Sequence, residues 1–169
     1  MGGYGGSGRR LYGEELKTLE QLARDSLREG AQPQKRNVFI SFVEEDLAEI
    51  NLLRGQAKNE NSNLEFNDWS LKKPFDSADA EYIKRGIRER IRQCSVTICY
   101  VTENTAKSKW VDWEIREGIK LGKAVIAMYK GDKPPSNLPP AIKELSIKLI
   151  PWSHEEITKE IDKATRAES

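Results

Sequence analysis

The sequence predicts a three-layer α/β domain: a flavodoxin-like, five-stranded parallel sheet in the order 2-1-3-4-5, covered by helices on both faces, with an extra N-terminal helix. Three observations predict it. Five short apolar runs rich in β-branched and aromatic residues are spaced along the chain, segments of helical period separate them, and 169 residues suit one domain with a single core. Continuous apolar runs indicate strands covered on both faces, which a parallel sheet requires. Right-handed crossovers then favour the 2-1-3-4-5 order.

Residues 1–36 read as a flexible Gly-rich tail plus an amphipathic helix, and residues 37–169 as the domain. The tail contains a formal G-x-G-x-x-G at Gly3, Gly5 and Gly8. No strand precedes it, so it lacks the strand-to-helix turn that aims N–H groups at a pyrophosphate. Leu16, Leu19, Leu22, Ala23 and Leu27 then share one stripe, which calls for cover from the domain or from a neighbouring chain.

The first strand is Val38-Phe-Ile-Ser-Phe42. Glu44, Glu45 and Asp46 follow at the mouth of a helix with Leu47, Ile50, Leu53 and Ala57 inside, where acids complement the macrodipole. A short strand, Leu64-Glu-Phe66, leads into the loop NDWSLKKPFDSA, which is long for a strand-to-helix connection and therefore a candidate functional loop. Asp76 or Ser77 is expected to cap a helix with Ile83, Ile87 and Ile91 inside and its basic residues in solvent. The central strand, Val96 to Val101, precedes a helix capped by Ser108, with Val111, Ile115 and Ile119 in one stripe and Gly122 past its end. Ala124 to Tyr129 is a fourth strand, GDKPPSNLPP an irregular segment, Ile147 to Ile150 a last strand stopped by Pro151, and Glu155 to Arg166 a terminal helix.

Composition narrows the partners. Lys and Arg number 28 against 27 Asp and Glu, with a pI of about 7.7, so no basic face calls for nucleic acid or an anionic membrane. No apolar run is long enough to span a bilayer and no signal peptide is seen, so a cytoplasmic protein is expected. Cys94 and Cys99, with one His in the chain, read as free buried thiols rather than as metal ligands.

In the predicted order, ligands bind where the winding reverses, outside the carboxyl ends of the first and third strands. Phe42 to Glu45 and Thr102 to Lys107 are delivered there, with the long loop close by. Glu114 falls about 60° from Val111 on its helix, on the shoulder of the apolar stripe, where a carboxylate either borders that crevice or stands as one more solvated helix charge.

The residues from Asn37 to Phe42 with the acidic helix start, and Ser108-Lys-Trp110-Val-Asp-Trp-Glu114-Ile, resemble the opening strand and the W-x-x-x-E helix of TIR domains. Phe66-Asn-Asp-Trp-Ser-Leu71 is similar to the bacterial and archaeal branch that includes the Thoeris antiphage-defence TIR proteins. The resemblance covers about residues 36–165. It implies cleavage of the nicotinamide–ribose bond of NAD to ADP-ribose or a cyclic relative, with Glu114 catalytic and NAD a substrate rather than a cofactor. Trp110 would be an aromatic wall for the substrate or a packing residue, and Phe42, Val43, Asp68, Trp69 and Ser70 would border the pocket. The phosphates would need Lys72, Lys73, Lys107 or a second chain. Self-association, partly through Trp113, and a separate effector responding to the product are also implied. Val111 stands where the family has Cys, and Val43 where many members have Ser or His. A non-catalytic TIR interaction module and a nucleoside deoxyribosyltransferase-like enzyme are the alternative readings.

Overall fold

The structure, a computed structural model, describes residues 20, 21, 24, 36–59, 64–68 and 73–168. The chain divides into two units, residues 1–34 and residues 35–169. In the first, Glu20, Gln21 and Arg24 are helical. The apolar stripe from Leu16 to Leu27 and the Gly-rich tail lie outside the described residues.

In the second unit, β1 (Arg36–Ser41), β2 (Leu64–Asn67), β3 (Val96–Tyr100), β4 (Ala124–Tyr129) and β5 (Lys148–Pro151) form one sheet in the order β2-β1-β3-β4-β5. Every neighbouring pair is parallel. The helices are α1 (Leu47–Asn59), α2 (Ala80–Gln93), α3 (Lys109–Lys120), α4 (Pro140–Glu144) and α5 (His154–Glu168).

Strand alternation sorts the core into two faces. Val38 and Ile40 of β1 and Ile98 and Tyr100 of β3 pack against Ile50 and Leu53 of α1 and Ile157 and Ile161 of α5. On the other face Phe39 packs with Ile83, Ile87 and Ile91 of α2, and Cys99 and Val101 with Val111 and Ile115 of α3. All five residues of β3 are buried, as a central strand covered on both sides demands. Burial of each large apolar side chain contributes about 1.5–3 kcal/mol. A surface pair such as Lys84–Glu81 on α2 adds about 0–1 kcal/mol, so the isoleucine stripe seats that helix.

Several expectations need correction. Leu47 is 38% exposed and lies outside the inner stripe of α1, because the chain enters that helix through a 3-10 turn at Glu44–Asp46. Helix α2 begins at Ala80 rather than beside Asp76 or Ser77; Asp79 stands at its N-cap without a side-chain cap and pairs with Lys73 instead. The proline-rich segment leads into the short helix α4, whose first residue, Pro140, needs no N–H. Pro151 closes β5 from within, a position an edge strand tolerates. The basic residues of α2 are not all solvated: Lys84 lies 4.5 Å above the Phe75 ring and Arg88 5.7 Å from the Trp113 ring.

Candidate functional site

Helix α3 starts where Ser108 accepts the Val111 N–H at 3.1 Å, and it ends before Gly122, whose φ of +75° suits glycine. Between these caps the helix lies close on the sheet. A Cβ at Gly118 would stand 3.0 Å from Val125 Cγ2 and 3.3 Å from Thr97 Oγ1, so a side chain there makes one of these neighbours give way by a few tenths of an ångström. One turn earlier, Glu114 is fully buried, and Ser41 Oγ at the carboxyl end of β1 donates to Glu114 Oε1 at 3.1 Å. Ser41 is itself fully buried and stands in register with Cys99 of β3. The carboxylate therefore lies against the β1–β3 junction where the winding reverses, not in bulk solvent.

Trp110 precedes Glu114 by one turn and is 8% exposed. Its indole N–H donates to the Lys73 carbonyl at 2.6 Å, and its ring meets Phe75 and Trp113 edge to face at 4.9 and 6.0 Å. The tryptophan thus ties the end of the long loop to α3. Trp113 is half-buried in the same cluster. Glu117, also buried, accepts Arg88 Nε of α2 at 3.3 Å. On the other flank Asp112 accepts the Ala141 N–H at 2.7 Å and Arg116 Nε at 2.8 Å, which docks α4 onto α3.

The remaining candidates are dispersed. Phe42 is buried in the core shared with α1 and α5, and Val43 in the core under α3 and α4. Asp68 is held from two helices, its Oδ1 by Arg54 at 2.7 Å and its carbonyl by Arg90 at 3.0 Å. Lys73 and Lys107 are exposed. Trp69, Ser70 and Lys72 lie outside the described residues.

The loops after β1 and β3 share a second buried acid. Asp46 accepts Thr102 Oγ1 at 2.7 Å and Asn104 Nδ2 at 3.4 Å. Burial pushes its carboxyl above the usual range against those two hydrogen bonds, with Glu49 and Glu45 adding to the rise. Glu49 in turn accepts the Tyr100 hydroxyl, whose pKa burial raises first and this bond second.

Sequence reading passed over Ser41 and the Arg88–Glu117 pair. Alternation did hold the first signal: with Val38, Ile40 and Phe42 on one face, Ser41 is a lone hydroxyl ending the other face. The pair gave no such signal, because its partners are 29 residues apart on different helices.

A separate cavity of about 500 Å³ lies beside the amino-terminal half of β1, lined by Asn37, Asn67, Glu89, Arg90, Gln93 and Cys94. It includes no predicted site residue. Phe39, between Asn37 and Ser41 on the same face, is fully buried against α2. Among the described residues no cluster of His, Cys, Asp and Glu is suited to a metal ion.

Residues 39–134 match the family model described as the TIR-like domain of the Thoeris protein ThsB. No curated protein sequence matches the chain. Among solved structures it is similar to the TIR domains of the activated Roq1 resistosome directly recognizing the pathogen effector XopQ, at 18% identity and a TM-score of 0.41 over 58% of this chain. The chain spans 59% of that relative's length. It is also similar to a 2-desoxiribosyltransferase from Leishmania mexicana, at 16% identity and a TM-score of 0.41, covering 66% of this chain and 72% of that one. A third likeness is to the CMP N-glycosidase BcmB of Clostridium botulinum, at 15% identity and a TM-score of 0.48, covering 75% of this chain and 99% of that one.

Proposed function

The chain belongs to the TIR-like domain family of the Thoeris protein ThsB, and from that premise we propose that it cleaves the nicotinamide–ribose bond of NAD in antiviral defence. The observation that carries this reading is Glu114, a fully buried carboxylate on the W-x-x-x-E helix, held by the Ser41 hydroxyl at the carboxyl end of β1.

The chemistry asks little else of the protein. The C1′–N bond breaks, nicotinamide leaves as a neutral base with the bonding pair, and positive charge develops on the ribose. A fixed carboxylate beside that sugar stabilises the charge and steadies a ribose hydroxyl. Water adding at C1′ and losing a proton gives ADP-ribose; attack from within the nucleotide gives a cyclic product that a separate effector would detect. Glu114 has no solvent exposure in the single chain, so in this reading turnover belongs to an activated, self-associated form in which the carboxylate is uncovered.

The test is nicotinamide release from NAD, with mass spectrometry of the nucleotide product, measured across protein concentration for wild type and Glu114→Gln. Release by the wild type and a loss of about 10²–10³-fold in the variant is the expected result. Equal turnover by both removes Glu114 from the mechanism. Base exchange on a deoxynucleoside, run in parallel, would instead identify a deoxyribosyl transfer enzyme.

A further inference from the structure

We propose that Ser41 is the positioning residue of the Glu114 carboxylate, with Gly118 setting the height at which the two meet; its catalytic consequence rests on the reading of Glu114 above. A hydroxyl in a fully buried strand position needs a partner. The Ser41 hydroxyl finds its partner in Glu114 Oε1, across 73 residues of sequence and from the strand at the centre of the winding. A donor on a carboxylate favours its charged form and fixes its rotamer. Both effects serve a group that must be ionised and still as a cation develops nearby.

The geometry is sensitive to helix height. The Ser41–Glu114 distance of 3.1 Å already lies at the long end for an O–H···O bond. Gly118, four residues after Glu114, lets α3 rest on Val125 and Thr97; a methyl there has to displace Val125 or lift the helix, and lifting the helix lengthens that bond. Other groups along this part of α3 include Cys99 and the Thr97 hydroxyl of β3, Arg88 of α2 on Glu117, and Glu144 of α4 on Arg116. Substituting Ser41 alters none of them directly, so a change in the titration of Glu114 that Ser41→Thr reverses reports the hydroxyl.

The experiment uses the full chain with ¹³C-labelled glutamate, the Glu114 carboxyl being assigned by its absence in Glu114→Gln. Ser41→Ala is expected to raise the Glu114 titration midpoint by about one pH unit. It should also lower kcat for NAD about tenfold with KM nearly unchanged, and move the acid limb of the kcat profile the same way. Ser41→Thr restores the midpoint and kcat together, and Gly118→Ala shifts both in the direction of Ser41→Ala. If Ser41→Ala does not fold, Ser41→Cys, of similar volume and a weak donor, replaces it. An unmoved midpoint in the variant lacking the hydroxyl overturns the proposal, whatever the activity. A moved midpoint in a protein that leaves NAD intact upholds the positioning and overturns the NAD reading instead.

Discussion

Asp46 and Glu114 are both buried carboxylates near the carboxyl ends of β1 and β3, and they are held by different kinds of partner. The partners of Asp46, Thr102 and Asn104, are loop residues. There the acid holds the loops: it joins the turn after β1 to the turn after β3. Glu114 meets Ser41, a residue of a central strand, and here the strand holds the acid. The difference teaches that two carboxylates buried at one switch point can be held in opposite ways. What distinguishes the two is whether the partner is the part held or the part doing the holding.

The largest expected effect separates their roles in turnover. Glu114→Gln should lower nicotinamide release about 10²–10³-fold, whereas Asp46→Asn should stay within about threefold of wild type. If the two variants lose activity alike, the contrast is wrong.

Stability should run the other way. Asp46→Ala strips Thr102 and Asn104 of their acceptor and is expected to cost about 1–3 kcal/mol in urea unfolding. Asp46→Asn, which can still meet both groups, should cost less. Equal losses would mean that the site is held by packing rather than by these bonds.

A smaller effect lies in the pH dependence. Asp46 has a folded-state pKa above its ordinary 3.8, so the folded state binds more protons, and stability falls as pH rises from 3.8 through the folded value. Asp46→Asn should flatten that fall. Glu160, lowered from 4.5 chiefly by its hydrogen bond from Lys148, behaves oppositely: its contribution is present above 4.5 and is lost as pH falls through the folded value. Urea midpoints between about pH 3 and pH 6 for wild type, Asp46→Asn and Glu160→Gln would resolve the two slopes. Slopes of the same sign would refute the assignment.

The smallest effect concerns Cys94, whose thiol burial pushes up to about 11. It should react with iodoacetamide at neutral pH far more slowly than an exposed thiol and become reactive on unfolding. Rapid alkylation of the native protein would show that the cavity beside it admits reagents.

Much of this was legible in the chain before any fold was known. The run from Val96 to Val101 announced a strand buried on both faces, found at Val96–Tyr100, and the Ile83, Ile87, Ile91 stripe announced the inner side of α2, because local periodicity and side-chain shape carry that information. Helix α4 escaped notice because five residues that begin with the second proline of a Pro-Pro pair show no period; its start is anchored by Asp112, a helix away. Position 114 was reached through the W-x-x-x-E pattern, and its angle on the helix left open whether it faced crevice or solvent. Ser41 was legible only as an isolated hydroxyl.

By itself, the order of apolar runs and helical periods determined the parallel sheet and its winding, since crossover handedness leaves few ways to lay those segments down. The carboxyl ends of the first and third strands followed from that order. Only the tertiary structure decided that Glu114 is sealed against Ser41 while Asp46 stitches two loops. Such pairings depend on how closely a helix settles on a sheet, here on a glycine that meets Val125 and Thr97, and no local pattern records that distance.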